Sequence, residues 1–151
     1  MKIAIGADHA GYTLKTRLVD MLKQRGVTVE DMGTDSAESV DYPDFGAAVA
    51  DRVSNAAVDQ GIIICSTGIG MSIAANKFPR VRAALCMNPK MVTMARKHNN
   101  ANVLCLAGEN GTEEEAGEML DAWLSTEFEG GRHERRVNKI KDYASDTAGT
   151  I

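Results

Sequence analysis

The chain has 151 residues and a mass of 16.2 kDa, enough for one hydrophobic core and too little for two ordinary domains. Its 17 Lys and Arg against 21 Asp and Glu give a formal net charge of -4, so nucleic acid and anionic membrane are excluded as partners of the molecule as a whole, and any anion must be held locally. At 44% hydrophobic and 25% charged residues, the composition is that of a globular protein without long disordered stretches.

Short β-branched runs alternate along the chain with longer segments of helical period. Lys2 to Ala7 reads as strand one, entered from Met1 with no signal-peptide pattern, and no apolar run approaches the roughly 20 residues of a membrane span. A cytoplasmic location is expected. Helix one runs from about Gly11 to Arg25, with Leu14, Leu18, Met21 and Leu22 on one face and Gly26 as its stop. Val27 to Asp31 returns as strand two. Asp41-Tyr42-Pro43 opens a second helix whose apolar stripe is Phe45, Ala48, Val49 and Val53, with Pro43 where a missing N–H costs least.

Gly61 to Cys65 is apolar on both faces through Ile62-Ile63-Ile64, as a central parallel strand buried under helices should be. The loop Ser66-Thr67-Gly68-Ile69-Gly70 leads from it into a short helix ending near Asn76. Arg82 to Cys86 makes strand four, Asn88-Pro89 caps a helix running to about His98, and Val103 to Leu106 makes strand five. Thr112 and Glu115 form a capping box for a helix with Ala116, Met119, Leu120 and Trp123 on its inner face. After Gly130-Gly131 a last helix turns Val137 and Ile140 inward, and Ser145 to Ile151 is expected as a loose tail.

Five strands with intervening helices define a doubly wound, Rossmann-like α/β fold: a five-stranded parallel sheet in a three-layer α/β/α sandwich, forming a single domain over residues 1–144. Such folds bind ligands beyond the carboxyl ends of their strands. That expectation directs attention to Asp8-His9, the loop after Cys65, His98-Asn99 and the segment after Gly130.

Three cysteines, Cys65, Cys86 and Cys105, with no C-x-x-C spacing, argue against a disulfide framework and a cysteine-built zinc site. Cys65 ends the central strand before a glycine loop that opens a helix, an environment that makes a thiolate available as base or nucleophile; Cys86 and Cys105 read as small buried hydrophobes. The loop Ser66 to Gly70 reads either as a cradle for a phosphate or developing oxyanion or as a tight turn needing glycine. It lacks the Gly-Lys-Ser/Thr of a Walker loop and the three-glycine dinucleotide fingerprint. Asp8-His9 offers acid, base or hydroxyl contacts, and His98 sits at a helix end that favours a protonated ring. With three histidines, none paired with another at ligand spacing, no metal site is expected. Arg132, His133 and Arg136 share one side of a helix start, and two guanidinium forks there suit a phosphate dianion.

The segments Gly6 to Gly11, Glu38 to Asp44, Cys65 to Lys77, His98 to Asn102 and Glu129 to His133 together resemble the ribose-5-phosphate isomerase B family, in family order over about Met1 to Tyr143. The resemblance implies interconversion of an aldose phosphate and its ketose phosphate without metal or organic cofactor. It also implies a site built between two subunits, in a homodimer or, alternatively, a homotetramer. It casts Cys65 as the base that moves a proton between C1 and C2 through an enediolate, and Thr67 with the amides of Gly68 and Gly70 as the oxyanion contacts. His98 and Asp8 assist ring opening, with Asn99, Tyr42 and Ser66 as further contacts, while His9, Arg132, His133 and Arg136 surround the phosphate. One branch of the family carries a glutamate base six residues after the cysteine; here Met71 stands there.

The chain departs from the family where many members carry an arginine after strand five, since Glu109 or Asn110 stands in its place. The expected reaction is therefore ribose 5-phosphate to ribulose 5-phosphate, with erythrose 4-phosphate or a hexose 6-phosphate as alternative substrates. A non-catalytic phosphometabolite-binding module is the alternative from another class.

Overall fold

In the computed structural model, residues 1–109 and 111–145 are described. The tail expected from Ser145 onward lies outside them except for Ser145 itself, which closes the last helix. The strands are β1 (Lys2–Ala7), β2 (Thr28–Asp31), β3 (Gln60–Cys65), β4 (Ala83–Leu85) and β5 (Val103–Ala107). The helices are α1 (Tyr12–Gln24), α2 (Tyr42–Ser54), α3 (Ile69–Ala75), α4 (Pro89–Asn99), α5 (Glu113–Ser125) and α6 (Arg132–Ser145). All strand pairs are parallel in the order β2-β1-β3-β5-β4, which is the expected doubly wound sheet.

Local chemistry accounts for the helix ends. Pro43 and Pro89 occupy the first turns of α2 and α4, Asn88 accepts the N–H of Met91, and Thr112 and Glu115 bond reciprocally at the start of α5. One core packs α1, α4 and α5 on the sheet through Leu18, Leu22, Val92, Leu120 and Trp123. The other packs α2 and α3 through Val49, Val53, Met71 and Ala75. Met71, at the position of the other branch's glutamate, is wholly inside that core and brings no base to the site.

The inner face of α1 is as expected, Leu18 and Leu22 being buried and Leu14 and Met21 packed against that core. Lys15 joins it unexpectedly, 2% exposed, because its aliphatic stem lies inside while its ammonium reaches Asp31 at 2.6 Å. Ile140 is not turned inward. Helix α6 packs on α4 through its first turns, burying Val137, and then runs past the body, leaving Ile140 50% and Tyr143 69% exposed.

Candidate active site

Strands β1 and β3 are neighbours whose connections depart in opposite directions, β1 through α1 to β2 and β3 through α3 to β4. Their carboxyl ends therefore splay open at a topological switch point, where ligands of doubly wound sheets bind. Ala7 is in register with Ile64, so Asp8 and Cys65 leave the sheet side by side, about 4.8 Å apart at the backbone.

Cys65 ends β3 with its Sγ buried, and the Gly68 N–H donates to that sulfur at 3.2 Å. Gly68 holds the bend in the left-handed region at φ +76°, and a Cβ there would meet Leu85 and the Leu106 carbonyl. Gly70 has a different cause: a Cβ there would lie 2.6 Å from ring carbons of Tyr42, so its smallness lets that ring close over the loop. The tight-turn reading of this loop holds at Gly68, and Gly70 is required by close packing instead. The Gly68 amide faces the sulfur rather than an incoming oxyanion, the Thr67 hydroxyl accepts the Ile69 N–H at 3.3 Å, and the Gly70 N–H finds no acceptor among the described residues.

The other two thiols behave as expected of buried hydrophobes. Burial pushes Cys86 up to about 11 and drives Cys105 higher still, with Cys86 and Cys65 as added neighbours. Asp8 is buried, and its Oδ1 accepts the N–H groups of Ala10 and Gly11 at 3.0 and 3.1 Å, which fixes the carboxylate at the start of α1. His9 accepts the Val40 N–H at Nδ1, leaving Nε2 to carry the ring proton as a donor. Glu109 joins this edge, its N–H donating to the Ser66 carbonyl at 3.4 Å; Asn110 lies outside the described residues.

His98, Asn99 and the segment after Gly130 are not at the carboxyl ends. Helix α4 carries the chain from the end of β4 back to the start of β5, so its last residues lie at the amino edge of the sheet. Cys65 is in register with Ala107 and Gly61 with Val103, which puts the two edges roughly 13 Å apart along the strands. The segment after α5 follows to the same edge, where the Glu129 N–H donates to the Lys97 carbonyl at 3.1 Å. The expected site residues of one chain therefore fall into two groups at opposite edges of the sheet.

At the amino edge, the His98 and His133 rings stack with centroids 4.1 Å apart and planes 7° from parallel. The two residues stand 35 positions apart in the chain, so no local ligand spacing reports this pair. Glu129 stands 3.9 Å from Nε2 of each ring through a different carboxylate oxygen, and was not among the expected site residues. Arg132 Nε donates to His133 Nε2 at 3.4 Å, while Arg132 and Arg136 are exposed. Gly130 and Gly131 serve their backbone angles, φ +69° and +57°, rather than close approach, since open space surrounds both. The ligand atoms of His98, Glu129 and His133 lie within 4.8 Å of one another. A shared ion fits them poorly as placed: lone pairs of parallel stacked rings lie in separate planes, and a guanidinium N–H occupies His133 Nε2.

Two arginines, two imidazoles and a carboxylate at one edge, with a thiol in an amide-lined loop at the other, are groups able to move protons and to hold an anion. The sequence matches the ribose/galactose isomerase family over residues 3–140, and the chain belongs to that family. Within it, the ribose-5-phosphate isomerase B of Escherichia coli K12 is 48% identical over 139 residues, covering 92% of this chain and 93% of the relative. A structure of ribose-5-phosphate isomerase B from Mycoplasma genitalium with bound ribulose-5-phosphate is 44% identical, with a TM-score of 0.92, and covers 97% of each chain. The D-erythrulose-4-phosphate isomerase of Pectobacterium atrosepticum is 42% identical over 144 residues, 95% of either chain.

Proposed function

We propose that this protein interconverts ribose 5-phosphate and ribulose 5-phosphate through an enediolate, with Cys65 as the base. The observation that carries the reading is the Cys65 sulfur at the switch point, with the Gly68 amide aimed at it and Asp8 beside it. The Cys65 thiolate removes the C2 proton of the open-chain aldose and returns it to C1 as the O2 proton passes to O1, while Thr67 and the Gly70 amide hold the oxygen that gains charge. Asp8 and His98 open the sugar ring, Tyr42, Ser66 and Asn99 hold hydroxyls, and His9, Arg132, His133 and Arg136 receive the phosphate. No residue of this scheme requires a metal or organic cofactor.

The reaction needs a homodimer, because His98 cannot reach Cys65 within one chain. A surface to form it flanks the edge strand β4: Ile69 and Ile73 on α3, and Met87, Met91 and Met94 before and on α4, are all exposed. We place the enzyme in the cytoplasm, where its three free cysteines stay reduced; among the described residues no helix is long and apolar enough to cross a membrane.

Cys65→Ala tests the central claim. Turnover of ribose 5-phosphate falls by about 10²- to 10⁴-fold, the range general-base removal produces, with the dimer intact; retained turnover sinks the thiol as base. A second reading keeps the chemistry and shortens or lengthens the sugar. It is favoured by Glu109 beside the Ser66 carbonyl, where a carboxylate repels a phosphate. Comparing kcat/KM for four-, five- and six-carbon aldose phosphates decides between them.

A further inference from the structure

We infer that Glu129, with His133, is a positioning residue for His98: one carboxylate and one stacked ring hold that imidazole in line with the sugar ring oxygen. The inference rests on the isomerase reading above and adds to it a residue to which that reading gives no part.

Three observations converge on it. Glu129 presents one oxygen to each ring at 3.9 Å, and its own N–H is anchored on the Lys97 carbonyl, the residue before His98. The turn below is clamped by Arg96, whose guanidinium donates to the Thr126 carbonyl at 3.3 Å and the Ala101 carbonyl at 2.5 Å, and by Arg82, which donates to the Asn100 carbonyl at 2.8 Å. His133 is itself pinned by Arg132 at Nε2, so it accepts a hydrogen bond there as a neutral ring. Burial, the adjacent His98 and the Arg132 charge all hold its pKa below the ordinary imidazole value, with Arg136 acting the same way and Glu129 opposing them. Of the stacked pair, His133 has its Nε2 occupied by Arg132, which leaves His98 as the ring able to present an N–H to the substrate.

Ring opening breaks the bond between C1 and the ring oxygen. The C1 hydroxyl proton goes to Asp8, its electron pair closes the carbonyl, and His98 supplies the proton that the departing oxygen takes up. His98 gives up its proton in that step, and the Glu129 carboxylate, with one oxygen near each ring, sets the direction in which the His98 imidazole points. A stacked neutral ring on the other face fixes the plane in which the N–H points.

The test uses the whole protein carrying Glu129→Gln, a change at a half-exposed side chain that leaves the fold in place. We expect kcat for ribose 5-phosphate to fall about tenfold or more, as misdirected proton donors do. Affinity for ribitol 5-phosphate, an acyclic analogue, stays within about twofold of the parent, since phosphate and hydroxyl contacts are kept. The isotope effect of deuterium at C2 does not rise, because ring opening rather than C–H cleavage has slowed. Unchanged kcat, weakened analogue binding or a larger isotope effect each overturns the inference. Failure of the unsubstituted protein to isomerise ribose 5-phosphate would instead defeat the reading beneath it.

Discussion

The two edges of the sheet are built by different means. At the carboxyl edge, backbone does the placing: strand register sets Asp8 beside Cys65, and Gly68 and Gly70 shape a loop whose amide meets the sulfur. At the amino edge, side chains do it: Arg82 and Arg96 tie down the turn after α4, and a histidine stack with Glu129 joins α4 to α6. Backbone placement is rigid and resists substitution. Side-chain placement rests on separable contacts and can be altered piece by piece, and the edges differ in kind because the first is made by the sheet and the second by helix ends.

The largest effect comes from separating the edges. Cys65→Ala and His98→Asn each lower turnover by about 10²- to 10⁴-fold. When the two variants are mixed and allowed to exchange subunits, random pairing makes half the dimers mixed. Each mixed dimer then owns one intact site built from undamaged edges of both chains, so about a quarter of the parental activity returns. If one chain supplied both edges to its own site, mixing would restore nothing. Activity of the mixture against total protein decides, and no recovery breaks the split-site scheme.

Much of this was legible before any coordinates. The four inner residues of α5 and its capping box follow from helical period and cap chemistry, and all four are buried. The Cys65 loop is legible because a buried β-branched strand ending in a glycine turn is a local pattern. What escaped has a common cause: it depends on where elements return to. Helix α4 must run antiparallel to the strands it joins, so the edge occupied by His98 was in principle readable from topology, yet the carboxyl-end rule was applied to the residue instead. The His98–His133 stack and the Lys15–Asp31 pair join residues on different elements, and no spacing rule within one element reports them.

A smaller effect sharpens the contrast within the carboxyl edge. Gly68→Ala places a side chain in left-handed backbone against the Leu106 carbonyl, which cannot give way. Its cost is about 2–4 kcal/mol of stability from strain and overpacking together. Gly70→Ala meets first the ring of Tyr42, which is exposed and can swing aside. That costs less than about 1 kcal/mol, but displaces Tyr42 and so lowers turnover. Denaturant midpoints beside kcat/KM separate the two; equal losses of stability would show that the loop is not backbone-built.

The smallest effect belongs to the amino edge and is read in pH. Burial, then His98 and Arg132, hold His133 below the ordinary imidazole value of 6.5. Protons therefore bind residue 133 of the unfolded chain more readily than that of the folded one, and acid pulls the equilibrium toward unfolding. The stability this neutral ring supplies is complete above about pH 6.5, declines as the unfolded chain's histidine titrates, and is gone below the folded value. Replacing His133 by Asn removes that titration. The urea midpoint of the parent should then fall more steeply between pH 7.5 and 5 than that of His133→Asn, the titratable groups away from the stack contributing equally to both. Parallel curves would mean that the stack does not hold His133 neutral, and that the amino edge is looser than its contacts imply.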